Sequence, residues 1–436
     1  MSTEADAENL TGTALPEATG LAFAVGFFFS FRIVLVLFSV RVLGADPRTG
    51  AAVSLAAGFL LLLLVCFQSL GFPRRTFGSM LRSPALRWVF AFLAFSGCSL
   101  LWSESASLTT SFAYWCGMLA DVAAVVLLLR SGSISEVSGA ILKGFVVSTC
   151  CLALIAWIMP TDPTDLRLGD EEFFNTNQIG NACAFAILLA QCLMRRKQGR
   201  WGWAVLFLAI TVLRSLSKAT LIAFLLSEAF LLIRDPSITR KVKLRVAAAA
   251  LVVVLAFWGL FQAYYDIYTT TGNQAETLTG RTAIWAYVVD GTIERPWIGH
   301  GFDSMWKVIP AFGPDRFEAR HAENELLQQL YTYGAAGVVL LAGLYGSLFL
   351  QMRRLARGPL RTILFSILIY VAVRGIAEAE PFDLLLPLWS IVLLSLLIDH
   401  ANAEQELPLP AAGVLRTRKL DALGSAINSA GNLFRA

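Results

Sequence analysis

Residues 51–70 read AAVSLAAGFLLLLLVCFQSL, an uncharged stretch followed directly by Gly71-Phe72-Pro73-Arg74-Arg75. A helix needs about 20 apolar residues to cross a hydrocarbon core roughly 30 Å thick. The stretch therefore reads as a membrane span closed by a basic turn. Working outward, similar runs occur at 21–43, 86–101, 112–129, 141–158, 179–193, 201–213, 219–233, 246–264, 326–350, 363–373 and 384–398. Several fall short of a full crossing, so their ends must extend into polar flanks or sit in thinned bilayer. Of the 436 residues, 56% are apolar and 15% charged, against roughly 25% charged in soluble domains. A soluble globular enzyme and a disordered chain are both excluded. The expected fold is all-α, a polytopic membrane protein of about twelve transmembrane helices.

The seven cysteines contain no C-x-x-C and no zinc-finger spacing, so neither a disulfide framework nor a thiolate metal site is indicated. A net charge of +4 with no basic stripe gives no sign of nucleic acid. The first 20 residues carry Glu4, Asp6, Glu8 and Glu17 and no lysine or arginine. A cleavable signal needs a basic start, so the first apolar run is expected to remain as an anchor.

Short basic segments set the orientation. Arg74, Arg75, Arg82 and Arg87 follow the second span, and Arg195, Arg196, Lys197 and Arg200 the sixth. Arg240, Lys241, Lys243 and Arg245 follow the eighth, and Arg353, Arg354, Arg357 and Arg361 the tenth. All are even-numbered exits, which predicts that both termini are cytoplasmic. The organisation is then a cytoplasmic tail (1–20), nine spans (21–264), a large periplasmic loop (265–325), three spans (326–399) and a cytoplasmic tail (400–436). Residues 414–434 of that tail pattern as an interfacial helix. A loop of about 60 residues is long for a compact bundle and points to function.

Some charges break the topology rule. Arg214 and Lys218 lie at the outer end of a short span, where positive charge is disfavoured. Snorkelling is the bland account; an anion site at the membrane surface is the one favoured by the expense of misplaced charge. Arg281 and Arg374 lie on the same face, as do Arg167 and Arg320. Several converging arginines would hold a diphosphate bidentately. Glu378 and Glu380, just after Arg374, would orient a cation or a sugar hydroxyl. Arg32 and Asp121 fall mid-span with opposite signs and are expected to pair. Of the three histidines, His300 and His400 read as incidental. His321, before an apolar helix at the outer surface, is placed to act as a general base. The acidic run Asp170-Glu171-Glu172 reads as a solvated loop rather than a metal site.

The second half carries an ordered set of short motifs: Gly280-Arg281-Thr282-Ala283-Ile284-Trp285, then Glu294-Arg295-Pro296-Trp297-Ile298-Gly299-His300-Gly301-Phe302. His321-Ala322-Glu323-Asn324-Glu325-Leu326-Leu327-Gln328 and Tyr333-Gly334-Ala335-Ala336-Gly337 follow. In that order they resemble the bacterial O-antigen ligase and O-antigen and exopolysaccharide polymerase family. Weaker echoes are Leu101-Trp102-Ser103, Asn175-Thr176-Asn177-Gln178-Ile179-Gly180 and Ser217-Lys218-Ala219-Thr220.

The resemblance implies a GT-C-like, metal-independent glycosyltransferase without cofactor, acting at the periplasmic face on an oligosaccharide carried by undecaprenyl diphosphate. It implies that Arg281 and Lys218 hold the diphosphate and that His321 is the base; by their place on the outer face, Arg214, Arg374, Asn324 and Glu378 are expected as further substrate contacts. Two departures stand out. Lysine replaces the family's arginine at 218, and Glu323 stands where many members place a histidine before the asparagine. Either His321 or Glu323 is the base. The leading expectation is a polysaccharide polymerase acting on a glycan acceptor. A ligase transferring glycan to lipid A-core is the close alternative, and a lipid-linked glycan transporter the alternative of another class. The transporter lacks support from internal repeats or midplane polar groups.

Overall fold

A computed structural model describes residues 16–70, 77–159, 168–169, 174–260, 262–263, 278–305 and 321–406. Among these, all regular structure is helical. The first six long helices are α1 (Pro16–Arg41), α2 (Pro47–Leu70), α3 (Pro84–Ser99), α4 (Leu108–Ser131), α5 (Ile134–Ile158) and α6 (Thr176–Arg195). Next come α7 (Gly202–Ser215), α8 (Lys218–Arg234), α9 (Arg240–Ala256) and α10 (Leu278–Glu294). The last three are α11 (Glu325–Arg354), α12 (Pro359–Arg374) and α13 (Leu388–Glu406). Arg167, Arg320, the 170–172 acidic run and the 414–434 segment lie outside the described residues.

Among the described residues, most of each apolar run lies on one of these helices. Among the described residues, seven helices, α1 to α6 and α11, are long and apolar enough to cross a membrane. The chain is a multi-pass membrane protein. The expected number of about twelve exceeds that seven because the remaining runs form shorter or more polar helices. The α7–α8 pair shows why: Leu216 adopts a left-handed conformation (φ 56°) and turns the chain sharply between them. The 265–325 stretch is more than a loop, since it contains α10. That helix buries Ile284 and Val288 in a small cluster with Met305, Ala322 and Tyr331.

The bundle packs by close approach of backbones. A Cβ on Gly26 of α1 would sit 2.0 Å from the Ile141 carbonyl oxygen, and one on Gly144 of α5 would sit 2.1 Å from that of Phe23. Small residues at such crossings give the van der Waals contact that holds helices together in lipid. Phe59, Leu60, Leu63 and Phe67 of α2 are instead 42–64% exposed, an outward apolar face suited to acyl chains. The centre is occupied by α13, whose residues from Leu388 to Ile398 are almost wholly buried. Its polar groups are satisfied across the bundle: Ser395 donates to Gln351 (3.1 Å), which donates to Ser83 (2.9 Å) and Asp399 (3.0 Å). The expected pair forms as well, with Arg32 Nη2 2.6 Å from Asp121 Oδ2 between α1 and α4.

Helix α11 is broken at Gly334 (φ 62°, ψ −153°). The Pro-Trp-Ile-Gly-His-Gly segment lies against the break and takes up backbone groups that a regular helix would have paired internally. Ala335 N–H donates to Pro296 O (2.7 Å) and Ala336 N–H to Trp297 O (3.1 Å). In return, His300 N–H donates to Tyr331 O (3.0 Å) and Gly301 N–H to Thr332 O (2.8 Å). A Cβ at Gly299, Gly301 or Gly334 would meet backbone atoms at 2.5 Å. Gly299 and Gly334 are therefore required where this segment lies against α11, and Gly301 where it lies against Ser99 and Ser103.

Candidate functional site

The splice sets the position of residues 321–325 at the start of α11. Asn324 caps the helix: its side-chain oxygen accepts from Leu327 N–H (3.0 Å) and its amide donates to Ile376 O (3.0 Å). Glu325 N–H donates to Gly375 O (2.9 Å), so the loop after α12 is tied to the same turn. Trp285 of α10 donates to Ala322 O (3.0 Å). Gln328 reaches back to accept from Ala322 N–H (2.8 Å). Glu323 is held in the left-handed region (φ 52°), rare for a non-glycine residue, and strain of this kind gathers at functional sites.

Around that turn the structure assembles a charged cluster from three separate parts of the chain. Arg281 of α10 places Nη2 3.3 Å from Glu323 Oε2 and 3.6 Å from Glu378 Oε1. His321 Nδ1 lies 3.6 Å from Glu323 Oε1 and accepts from Glu323 N–H (3.3 Å). Arg374, at the end of α12, faces Glu378 (3.9 Å) and Glu380 (3.7 Å). Arg374 and Glu378 are only 2% and 3% exposed.

These ion pairs are longer than the 2.7–2.9 Å of a good charge-assisted hydrogen bond. Consistent with this, Arg374 Nε and Nη1, Glu323 Oε2 and Glu378 Oε1 are buried without a hydrogen-bond partner among the described residues. Burial raises the Glu323 carboxyl above the ordinary glutamate range, against the lowering effect of His321; Glu378 raises it further, while Arg281 and Arg374 lower it. Burial raises Glu380 as well, opposed chiefly by Arg374. The sequence suggested a simple concentration of positive charge. The structure instead interleaves Arg281 and Arg374 with three glutamates, because an uncompensated buried guanidinium is costly.

The ligand atoms of His321, Glu323 and Glu378 lie within 4.8 Å of one another, a spacing a divalent cation would fit. Arg281 Nη2 already bridges the two carboxylates as the cation of the cluster.

Of the other expected contacts, Arg214 is half-buried in the last turn of α7 and Lys218 is the exposed first residue of α8. They share the end of the bundle that holds the cluster. Tyr370, one turn before Arg374, is hydrogen-bonded to Thr220 near the start of α8 and donates to Asn181 Oδ1 (2.8 Å). The Asn-Thr-Asn-Gln-Ile-Gly and Ser-Lys-Ala-Thr stretches meet there too, since Ser217 donates to Asn177 Oδ1 (2.7 Å) and Thr176 donates to the Ser215 carbonyl.

Two groups went unrecognised in the sequence. Glu325 accepts from Tyr345 O–H (2.7 Å) and Leu385 N–H (2.9 Å), clamping α11 to the chain before α13. His300 is not incidental. It is 3% exposed, stacks on Tyr331, and turns both ring nitrogens to acceptors, Glu104 (2.8 Å) and Gly291 O (2.9 Å). Arg295 completes the group at 2.6 Å from Glu104. The signal was the pair of glycines flanking His300, both with positive φ. Ser103 donates to Phe302 O nearby, which explains the Trp-Ser echo in the first outer segment.

Residues 203–342 match the family described as O-antigen ligase, Wzy_C. The match runs from α7 into α11, so it includes Arg281, His321 and Glu323 and leaves Arg374 and Glu378 beyond its end. The chain is also similar to the Exopolysaccharide production protein ExoQ of Rhizobium meliloti (strain 1021). Identity is 25% over 325 residues, spanning 67% of this chain and 72% of that protein.

Proposed function

We infer from the match over residues 203–342 and from the similarity to the exopolysaccharide production protein that the chain is a member of the O-antigen ligase and polysaccharide polymerase family, and we propose that it is a polymerase. It joins oligosaccharide repeat units carried on undecaprenyl diphosphate to a glycan acceptor at the periplasmic face of the inner membrane, with both termini cytoplasmic. The observation that carries this reading is the juxtaposition of Arg281 with Glu323. A cation suited to a diphosphate touches a carboxylate whose proton affinity burial has raised.

The acceptor hydroxyl oxygen attacks the anomeric carbon while the carbon–oxygen bond to the diphosphate breaks. The bonding pair leaves with the diphosphate. Arg281, with Arg374, Lys218 and Arg214 at the same end of the bundle, stabilises that charge. The acceptor proton passes to Glu323, which takes the role of base. His321 Nδ1 accepts from the Glu323 backbone N–H, so the ring helps to fix the turn from which the carboxylate projects. Glu378 and Glu380 hold the two arginines in place until the diphosphate competes for them. Asn324 is a positioning residue through its cap. In this scheme the arginines supply the charge that a divalent cation would otherwise provide.

Similarity to a protein named for exopolysaccharide production favours a polymerase over a ligase acting on lipid A-core. The test is transfer by the purified chain from lipid-diphosphate repeat units, with either further repeat units or lipid A-core as acceptor, with and without EDTA. A product ladder from repeat units alone, unchanged by EDTA, is expected. Product only with lipid A-core would make the chain a ligase. Donor binding without any transfer would favour a transporter. Activity lost with EDTA and restored by Mg²⁺ or Mn²⁺ would place a metal among His321, Glu323 and Glu378.

A further inference from the structure

At the end of the bundle opposite the cluster, the last turn of α8 and the first turn of α12 enclose a cavity of about 580 Å³. Its lining includes Arg234, Arg357 and Arg361, with Phe230, Pro236 and Phe365 as apolar walls. Three guanidinium groups thus share one concavity, and among the described residues no carboxylate lies within ion-pair distance of them. The adjacent acid, Asp235, is taken by Arg195 at 2.7 Å and is itself buried. Arg361 lies over the Phe365 ring (5.6 Å) and donates to Leu355 O (3.0 Å), which holds its side chain at the cavity wall. The cavity also opens on the first turn of α12, whose N-cap is Gly358 with no side-chain cap. That end of a helix carries partial positive charge and free backbone N–H groups.

Positive charge alone would suit any phosphate. What distinguishes the occupant is the surface leading to the cavity. Ile222, Leu226, Phe230 and Arg234 succeed one another at four-residue spacing and so form one ridge of α8. Ile222 is 57% and Leu226 50% exposed, with no helix covering them among the described residues. On the antiparallel α12, Ile369, Phe365 and Arg361 form a matching ridge that ends at the same cavity. Each ridge is apolar along its length and basic at its end, which is the pattern of an amphiphile with two acyl chains and an anionic head. Free phosphate would have no use for the ridges. Basic pockets between helices on the cytoplasmic side are where anionic lipid headgroups are held.

We propose that this cavity seats the phosphate of an anionic phospholipid, with its acyl chains along the α8 and α12 ridges. The site lies at the far end of the bundle from the Arg281–Glu323 cluster and does not rest on the glycosyl-transfer reading. By the positive-inside pattern it faces the cytoplasmic leaflet.

The test uses the full chain in neutral detergent, titrated with phosphatidylglycerol, phosphatidylcholine or inorganic phosphate and read by native mass spectrometry. One saturable phosphatidylglycerol per chain is expected, bound well ahead of phosphatidylcholine and not displaced by millimolar inorganic phosphate. Arg234 and Arg357 are exposed, so R234Q and R357Q leave the fold intact, which an unchanged melting temperature in lipid-free detergent would establish. Each substitution should weaken phosphatidylglycerol binding about five-fold, and the pair about 30-fold. Equal binding by wild type and the double variant, or equal binding of phosphatidylcholine, would overturn the proposal. Displacement by inorganic phosphate would reassign the cavity to a free anion and overturn it likewise.

Discussion

Replacing Glu323 with glutamine is the sharpest probe of the proposed chemistry, because it changes charge and proton affinity and almost nothing else. The side chain is mostly buried between Arg281 (3.3 Å) and His321 (3.6 Å), and glutamine has the same shape. Loss of a general base costs about 10²–10⁴ in rate, or roughly 2.7–5.4 kcal/mol of transition-state stabilisation. Donor binding should move the other way. With Glu323 neutral, Arg281 loses one of its two carboxylate partners and is freer to hold a diphosphate, so KM for the lipid-linked donor should hold steady or fall. The pH profile supplies the sign. Burial raises the Glu323 carboxyl above its ordinary range near 4.3. Activity needs the deprotonated form, so kcat/KM should climb with pH along an acidic limb placed above that range, and the limb should vanish in E323Q. Histidine at this position, the arrangement common in the resembled family, should restore activity with the limb moved toward the imidazole range. The assay is initial-rate formation of polymer by purified protein in detergent. If E323Q keeps more than about a tenth of wild-type kcat while a His321 variant loses it, the base is the imidazole and the assignment fails.

Arg281→Ala should abolish product while leaving folded protein in the membrane; near-normal polymer would remove Arg281 from the transfer step. Gly334→Ala should lower the melting temperature by the equivalent of at least ~1–3 kcal/mol, since φ is 62° and its Cβ would meet Trp297 at 2.5 Å. An unperturbed melting curve would show that the α11 break is not a requirement of the fold. Arg32→Leu leaves the half-buried Asp121 unpaired, a loss of about 1–3 kcal/mol, and the double change R32L/D121L should recover most of it; failure to recover would mean the pair is not the coupled unit its 2.6 Å contact indicates. Asp303, whose carboxyl burial pushes up to about 6, accepts from Ser111 O–H at 2.7 Å. A raised folded-state value means the stability it contributes is full below about pH 4 and lost as pH rises through about 6. Asparagine at this position keeps the acceptor without the charge, so D303N should melt higher than wild type at neutral pH, with the difference shrinking toward pH 4; the opposite trend would refute the reasoning.

What could be read from the sequence was whatever depends on local composition. Apolar run length and the distribution of arginines gave the membrane class, the helical fold and the place of nearly every helix, because the bilayer acts on each segment separately. The opposite signs of Arg32 and Asp121 announced their pairing, since neither charge survives alone in the interior. The motifs around Arg281 and His321 marked the site because they are contiguous in the chain. Tertiary structure decided the rest. It broke α11 at Gly334 and folded α10 into what read as a loop, both through hydrogen bonds between residues distant in the chain. It also set Glu378 and Arg374 against Arg281, so that a group expected to be electropositive became a balanced cluster with a carboxylate of raised proton affinity. Burial and partnership are properties of a packed neighbourhood, and no stretch of sequence contains them.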